Sequence, residues 1–82
     1  MEKHQYGFAV MNCRTGGIRR KSFWGSGANE AECKDNARSQ ANAYASRLSN
    51  EAYDKACRSN RGLGLPSRSS YEFQIVSCSL WQ

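Results

Sequence analysis

Four cysteines and one histidine are the side chains that could hold a metal ion or act as nucleophiles. The cysteines are Cys13, Cys33, Cys57 and Cys78, separated by 20, 24 and 21 residues. Zinc sites usually take two ligands from one tight turn, but this chain has no C-x-x-C pair. A catalytic thiol needs a neighbouring base, and His4, near the start of the chain, is the only histidine. We therefore expect four reduced thiols that behave as small, mostly buried apolar residues, with no metal and no cofactor.

The acidic residues do not form the kind of pair that acid–base catalysis needs. Catalytic carboxylates lie in a cleft where their environments drive their pKa values apart. Here the acids alternate with lysine and arginine at helical spacings, as in Glu30 and Lys34, which is typical of solvated surface pairs. We predict that the protein is not an enzyme.

Basic residues are concentrated in two segments that contain no acid. The first cluster is Arg14, Arg19, Arg20 and Lys21, and the second is Lys55, Arg58, Arg61 and Arg68. Each cluster carries +4, whereas residues 30–54 carry −2 from five acids and three bases. Arginine next to an aromatic ring such as Trp24 suits phosphate pairing and base stacking, and it also anchors protein interfaces. The alternative is a solvated surface without a partner. The predicted partner-binding residues are Arg14, Arg19, Arg20, Lys21, Trp24, Arg58, Arg61 and Arg68.

The length of 82 residues and the net charge of +5 limit the organisation of the chain. A chain this short normally forms one domain with one small core, so we expect a single domain over residues 1–82. No run approaches the roughly 20 apolar residues that span a bilayer, and no signal-peptide core is evident. We therefore expect a cytoplasmic protein with reduced thiols and no membrane partner.

A β-hairpin is expected at the start of the chain. Residues 5–13 alternate larger and smaller side chains with the period of a strand. Residues 14–17 contain two glycines, which supply the positive φ that a tight turn needs. A second strand is predicted over residues 18–24, ended by the glycines of residues 25–27.

A helix with an alanine-rich face should follow the hairpin. Asn29 and Glu32 have the spacing of a capping box, and acids in the first turn suit the helix dipole. Small or apolar residues recur at helical intervals, which predicts one buried stripe. The stripe is Cys33, Ala37, Ala41, Tyr44, Ala45, Leu48 and Ala52.

This helix is expected to break near Ser49. An unbroken helix over residues 30–58 would be about 43 Å long, whereas strands of eight or so residues span only about 27 Å. Ser49 also begins a second cap-like sequence. We predict a shorter second helix that carries Tyr53, Ala56 and Cys57.

A loop and a third strand should complete the domain. Residues 59–70 are rich in glycine, serine and asparagine, with Leu63 and Leu65 either tucked under the domain edge or forming an exposed contact. Residues 70–82 are predicted to form a strand whose apolar residues change face near Ile75. Either both faces are covered or a β-bulge shifts the register.

These elements predict an α+β fold in the order β-β-α-(α)-β. A mostly antiparallel three-stranded sheet should carry the alanine-rich helix on one face, leaving the other face partly open.

Part of the chain is similar to a double-stranded RNA-binding domain. The resemblance covers residues 6–48, which match the last two strands and the final helix of that family. It is carried by the predicted hairpin, the glycines of residues 25–27 and Lys34 on the following helix. Glu30 and Ala31 stand where the family has a leading lysine cluster, so we do not transfer duplex RNA binding to this chain.

In size, single-domain build and lack of a catalytic constellation, the chain resembles small phage-encoded inhibitors of bacterial defence, above all the anti-CRISPR proteins. The resemblance implies a compact binder in the bacterial host cell. It would dock on a CRISPR or similar nucleoprotein effector and block nucleic-acid binding or the nuclease step. The alternatives are a basic DNA- or RNA-binding module, or a homodimer formed through the open sheet face or the third strand.

Overall fold

The computed structural model describes residues 1–60 and 67–80, which form an antiparallel sheet with one long helix. The elements are β1 (Glu2–Asn12), β2 (Ile18–Gly27), α1 (Glu30–Asn60), a 3₁₀ helix (Arg68–Tyr71) and β3 (Phe73–Leu80). The strand order is β2-β1-β3, so β1 is central and β2 is an edge strand. The predicted α+β fold is confirmed, with a three-stranded antiparallel sheet and the order β-β-α-β.

The predicted hairpin is confirmed, with longer strands than expected. Asn12 N–H donates to the carbonyl of Gly17 at 2.8 Å, and Gly16 N–H donates to the carbonyl of Asn12 at 2.7 Å. Gly16 has a φ of 78°, a conformation that side chains rarely adopt. The turn therefore uses glycine as the sequence indicates.

The prediction that residues 25–27 end β2 is wrong, because these glycines lie within the strand beneath the first turn of α1. A Cβ built on Gly25 would overlap the carbonyl oxygen of Cys33, and one on Gly27 would lie 2.5 Å from Glu32 Cβ. The two glycines therefore allow the helix backbone to approach the strand closely.

The predicted buried face of the helix packs on β1. Cys33, Ala37 and Ala41 are fully buried and form the core with Tyr6 and Phe8. Because these helix side chains are small, α1 lies close to the sheet. The partly buried residues packed against this core are Phe23, Ile75 and Cys78.

The predicted start of the helix is also confirmed. The Oδ1 atom of Asn29 accepts the N–H of Glu32 at 3.0 Å, and its Nδ2 atom donates to Glu32 Oε2 at 3.2 Å. The hydrogen bond to Asn29 Oδ1 gives a partner to the Glu32 N–H, which has none within the first turn of the helix.

The predicted break near Ser49 is wrong, because α1 continues without interruption for 31 residues. The buried Ser49 hydroxyl donates to the carbonyl of Ala45 at 2.9 Å and accepts the N–H of Phe73 at 2.8 Å. The residue that resembled a second cap instead connects α1 to the start of β3. The residues assigned to a separate second helix, Tyr53, Ala56 and Cys57, belong to α1.

The far end of α1 packs against the 3₁₀ helix. At 1.5 Å per residue the helix is about 46 Å long, close to the 51 Å longest dimension of the protein. The rings of Tyr53 and Tyr71 meet edge to face with centroids 5.8 Å apart. The additional length of α1 therefore contacts the segment that leads into β3.

Of the two alternatives for the third strand, the structure shows the β-bulge, at Val76. Ala9 pairs with Ser77 while its neighbour Val10 pairs with Ile75, so Val76 is the additional residue on β3. The additional residue shifts the alternation of side chains along β3, so that apolar side chains on both sides of the bulge point toward α1. These side chains belong to Phe73, Ile75 and Cys78.

The predicted bounds of the loop, residues 59–70, are wrong at both ends, because α1 continues to Asn60 and a 3₁₀ helix spans Arg68–Tyr71. Leu63 and Leu65, to which we gave two alternative roles, lie outside the described residues.

Replacing Gly25 with alanine tests the close approach of α1 to β2. Gly25→Ala should lower the free energy of unfolding by about 3 kcal/mol, because the new Cβ overlaps backbone rather than a movable side chain. Gly17→Ala is the control, since its Cβ would meet only Thr15 Oγ1 at 3.3 Å, and should change stability by less than about 0.5 kcal/mol. Equal losses in urea denaturation would contradict this packing.

Removing the Ser49 hydroxyl tests the connection between α1 and β3. Ser49→Ala should destabilise the protein by about 2 kcal/mol, because it leaves the N–H of Phe73 without its partner. Hydrogen exchange at the Phe73 amide should accelerate, whereas Ser46→Ala, on an exposed part of the same helix, should leave it unchanged. Unaltered protection of Phe73 in Ser49→Ala would show that the bond does not form.

Candidate functional site: a basic rim around strand β2

The three consecutive cations of β2 point to opposite sides of the sheet. Directly paired residues of neighbouring strands share a face. Arg19 pairs with Val10 and Lys21 with Phe8, both of which are buried. Arg19 and Lys21 therefore lie on the side of α1, and Arg20 lies on the open side.

On the helix side, three cations surround the ring of Tyr44. Lys21 Nζ lies 5.3 Å and Arg47 Cζ lies 5.6 Å from the ring centroid. Arg19 Nη1 donates to the Tyr44 hydroxyl at 3.4 Å. Each cation–ring contact of this kind contributes about 0.5–1 kcal/mol at an exposed site, which offsets part of the repulsion among the three charges.

A line of aromatic rings connects Tyr44 to the core. Phe23 meets Tyr44 edge to face at 5.8 Å, and it meets the buried Phe8 in the same way at 6.0 Å. These contacts fix the Tyr44 ring between β2 and α1. Beside it lies an open groove of about 390 Å³. The groove is lined by Lys21, Phe23, Gln40, Ala43, Tyr44 and Arg47.

Gln40, which lines this groove, also takes part in polar contacts between α1 and β2. Gln40 Nε2 donates to the backbone carbonyl of Trp24 at 2.7 Å and to Asn36 Oδ1 at 3.1 Å. Asn36 Oδ1 also accepts the N–H of Ser26 at 3.3 Å. These hydrogen bonds hold the helix against the edge strand, so the groove is built on rigid elements.

On the open side, Arg20 shares the sheet face with Trp24. Trp24 is 53% exposed, and Lys3 Nζ lies 5.7 Å from its ring centroid. A large exposed ring held beside cations is a feature of binding surfaces for both proteins and nucleic acids.

We call the five cations on the two sides of β2 the basic rim. It consists of Lys3, Arg19, Arg20, Lys21 and Arg47. Glu51 Oε1 lies 4.0 Å from Arg47 Nε, but both side chains are about two-thirds exposed, so this pair contributes little. Within residues 1–60 and 67–80, Arg19, Arg20 and Lys21 have no carboxylate at salt-bridge distance. The rim can therefore attract an anionic partner.

Arg14 lies away from the other members of the first predicted cluster. Its Cζ atom lies 5.5 Å from the ring centroid of Tyr71, and it lines a surface cavity of about 350 Å³ together with Lys55. The first cluster is thus divided among the two sides of β2 and the hairpin turn.

Members of the second predicted cluster occupy separate surroundings. Arg58 is exposed in the last turn of α1, and Arg68 binds Asn50, with its Nε atom 3.1 Å from Oδ1. Arg61 lies outside the described residues. The described members of the second cluster therefore lie outside the basic rim.

Sequence reasoning missed Lys3, Tyr44 and Arg47 as members of this surface. Tyr44 was assigned to the buried stripe, but its position three residues before Arg47 puts both on one side of the helix. The alternation of Arg19, Arg20 and Lys21 could have been read from strand periodicity. Their proximity to α1 required the tertiary structure.

All four cysteines are free thiols. Cys33 is buried and donates to the carbonyl of Glu2 at 3.4 Å. Cys13 is exposed and Cys57 and Cys78 are half-buried, so the prediction of mostly buried thiols is wrong. Burial raises the pKa of the Cys33 thiol above its ordinary value, so it stays protonated at neutral pH. Among the described residues, no group of three or more His, Cys, Asp and Glu side chains could hold a metal ion.

Comparisons with protein-family models, curated proteins and solved structures find no match to this chain. In the part of the chain that the structure describes, no helix is long and apolar enough to cross a membrane.

Proposed function

We propose that this chain is a small, non-enzymatic binding protein that docks through the basic rim on a nucleoprotein effector of the CRISPR or a similar kind. It would block the nucleic-acid binding or the nuclease step of that effector, in the cytoplasm of a bacterial host cell. The observation that carries the proposal is the concentration of cations on both sides of β2, where Arg19, Arg20 and Lys21 have no carboxylate partner among the described residues.

The charge of the rim suits the chemistry of a nucleoprotein. Such a complex presents RNA or DNA phosphates together with acidic protein surfaces, and either would complement the cations. The site offers arginine, lysine and tyrosine side chains rather than the paired carboxylates or histidines of acid–base catalysis. These features favour binding over turnover.

The rim is also partly ordered before a partner arrives. Lys21 and Arg47 lie against the Tyr44 ring, and Arg19 donates to its hydroxyl. Side chains already held in place lose less conformational freedom on binding, which favours affinity. Because β2 is an edge strand, a partner that approaches the edge of the sheet can contact cations on both sides of β2.

A DNA- or RNA-binding module is the second candidate. It is favoured by the exposed Trp24 ring, which shares the open sheet face with Arg20 and Lys3. Aromatic rings stack on bases, and arginine and lysine bind phosphates.

Charge reversal on the helix side of the rim tests the proposed function. Arg19→Glu with Lys21→Glu should bind an effector at least about tenfold more weakly than the unmodified protein, because each close charge pair across an interface contributes about 1.5 kcal/mol or more. Lys34→Glu with Arg38→Glu is the matched control, since both pairs change the net charge from +5 to +1. Lys34 and Arg38 are exposed on α1, and Arg38 faces a groove beside β3.

The measurement is co-elution with a panel of purified, guide-RNA-loaded effector complexes, followed by target-DNA cleavage. The unmodified protein and the matched control should co-elute with one of them and reduce its cleavage. Failure to bind any complex of the panel would contradict the proposed function. Equal binding by the rim variant and the matched control would contradict the assignment of the site.

A further inference from the structure

The face of the sheet opposite α1 forms a shelf of small side chains. Gly7 and Ala9 lie in its centre, on the middle strand β1, and the residues beside them on β3 are serines. The rows across the sheet are Ser22, Gly7 and Ser79, followed by Arg20, Ala9 and Ser77. Gly7 and Ala9 are themselves buried, so a flat ring would meet the serine side chains and Arg20 beside them.

One end of the shelf carries the exposed ring of Trp24. Trp24 pairs with Gln5 on β1, and the Gln5 amide donates to Ser22 Oγ at 2.9 Å. Lys3 lies beside the ring, with Nζ 5.7 Å from its centroid. The tryptophan is therefore set in a regular strand among ordered neighbours, and stacking on it requires little additional ordering.

The charge of this face distinguishes between possible occupants. Among the described strand residues that point away from α1, the charged ones are Lys3 and Arg20. A second copy placed face to face would bring like charges together, which opposes association. A chain of phosphates would neutralise them.

We propose that the open sheet face binds single-stranded nucleic acid, with unpaired bases stacked on Trp24 and the shelf and phosphates bound by Arg20 and Lys3. Bases in a duplex are stacked on one another and cannot lie on an exposed ring. Trp24 and Arg20 are four residues apart, about 13 Å along a strand, which matches about four stacked nucleotides. The inference rests on the proposed function. It states that the nucleic acid of the effector, rather than its protein, contacts Arg20 and Lys3 on the open side of the rim.

Binding of labelled oligonucleotides tests this inference. The probes are fluorescein-labelled dT12, rU12 and a 12-base-pair DNA duplex, measured by fluorescence anisotropy from 50 to 300 mM NaCl. Both single strands should bind more tightly than the duplex. Their affinity should fall with salt, with a logarithmic slope of at least about −1.4 for two phosphate contacts.

Substitutions on the shelf assign the binding to Trp24 and Arg20. Trp24→Ala should weaken binding at least about fivefold, the lower limit for loss of one stacked base, and Trp24→Phe should retain most of the affinity. Arg20→Ala should reduce the salt slope by about 0.7. Arg38→Ala, which removes an exposed cation beside β3, is the matched control for Arg20→Ala and should leave the slope unchanged.

Tryptophan fluorescence gives a second readout of stacking. The chain has two tryptophans, Trp24 and Trp81. In a Trp81→Phe background, emission comes from Trp24 and should be quenched by unlabelled dT12 with the same dissociation constant as in anisotropy. Circular dichroism melting confirms that each variant is folded before its affinity is compared.

Four results would overturn the inference. In the oligonucleotide assay these are no binding of either single strand at 50 mM NaCl, duplex binding as tight as single-strand binding, or an unchanged affinity of Trp24→Ala for the single strands. In light scattering, the result is a dimer that Trp24→Ala abolishes. The last result would assign the face to a second copy. If these tests fail while effector co-elution persists, the inference falls and the proposed function stands. If single strands bind as expected and no effector does, the proposed function falls and the second candidate, a DNA- or RNA-binding module, replaces it.

Discussion

The close contact between α1 and β2 determines the rest of this structure. Gly25 and Gly27 have no side chain where the first turn of the helix crosses the strand, and a Cβ at Gly25 would overlap the Cys33 carbonyl. Beyond this point, Ala37 and Ala41 keep the separation between helix and sheet short. A small domain buries little apolar surface, so its core depends on such close packing.

The same contact creates the candidate site. Because α1 begins on β2 and follows the sheet, Tyr44 and Arg47 arrive beside the edge strand where Arg19 and Lys21 point toward the helix. Strand alternation sends Arg20 to the other face. Like charges placed this close together destabilise a fold, and such a departure from local consistency is expected at functional sites. The proposed anionic partner would relieve this repulsion.

Much of the fold could be predicted because its signals are local. The glycine turn, the Asn29 cap and the register change near Val76 each follow from a few neighbouring residues. Other sequence patterns are compatible with two structures. A glycine such as Gly25 can end a strand or allow a helix backbone to approach it closely. A serine such as Ser49 can cap a new helix or donate its hydroxyl to the preceding turn of the same helix.

The candidate site was harder to predict than the fold. The first basic cluster was predicted to form one surface because its residues are close in the sequence. In the structure Arg14 lies beside Tyr71, and Arg20 lies on the sheet face opposite Lys21. The proximity of Arg47 to β2 depends on how the helix crosses the sheet, which no local pattern contains. Charge composition thus predicts a partner-binding surface, and only the tertiary structure brings Tyr44 and Arg47 beside the cations of β2.

The central claim is that a partner contacts the basic rim and that single-stranded nucleic acid contacts its open side. The most direct measurement is a nuclear magnetic resonance titration of the ¹⁵N-labelled protein with unlabelled dT12, following every backbone amide. Our account predicts that the largest shifts occur at Lys3, Arg20 and Trp24, which share the open sheet face. Shifts confined to the last turns of α1 and the 3₁₀ helix, around Arg58 and Arg68, would contradict it.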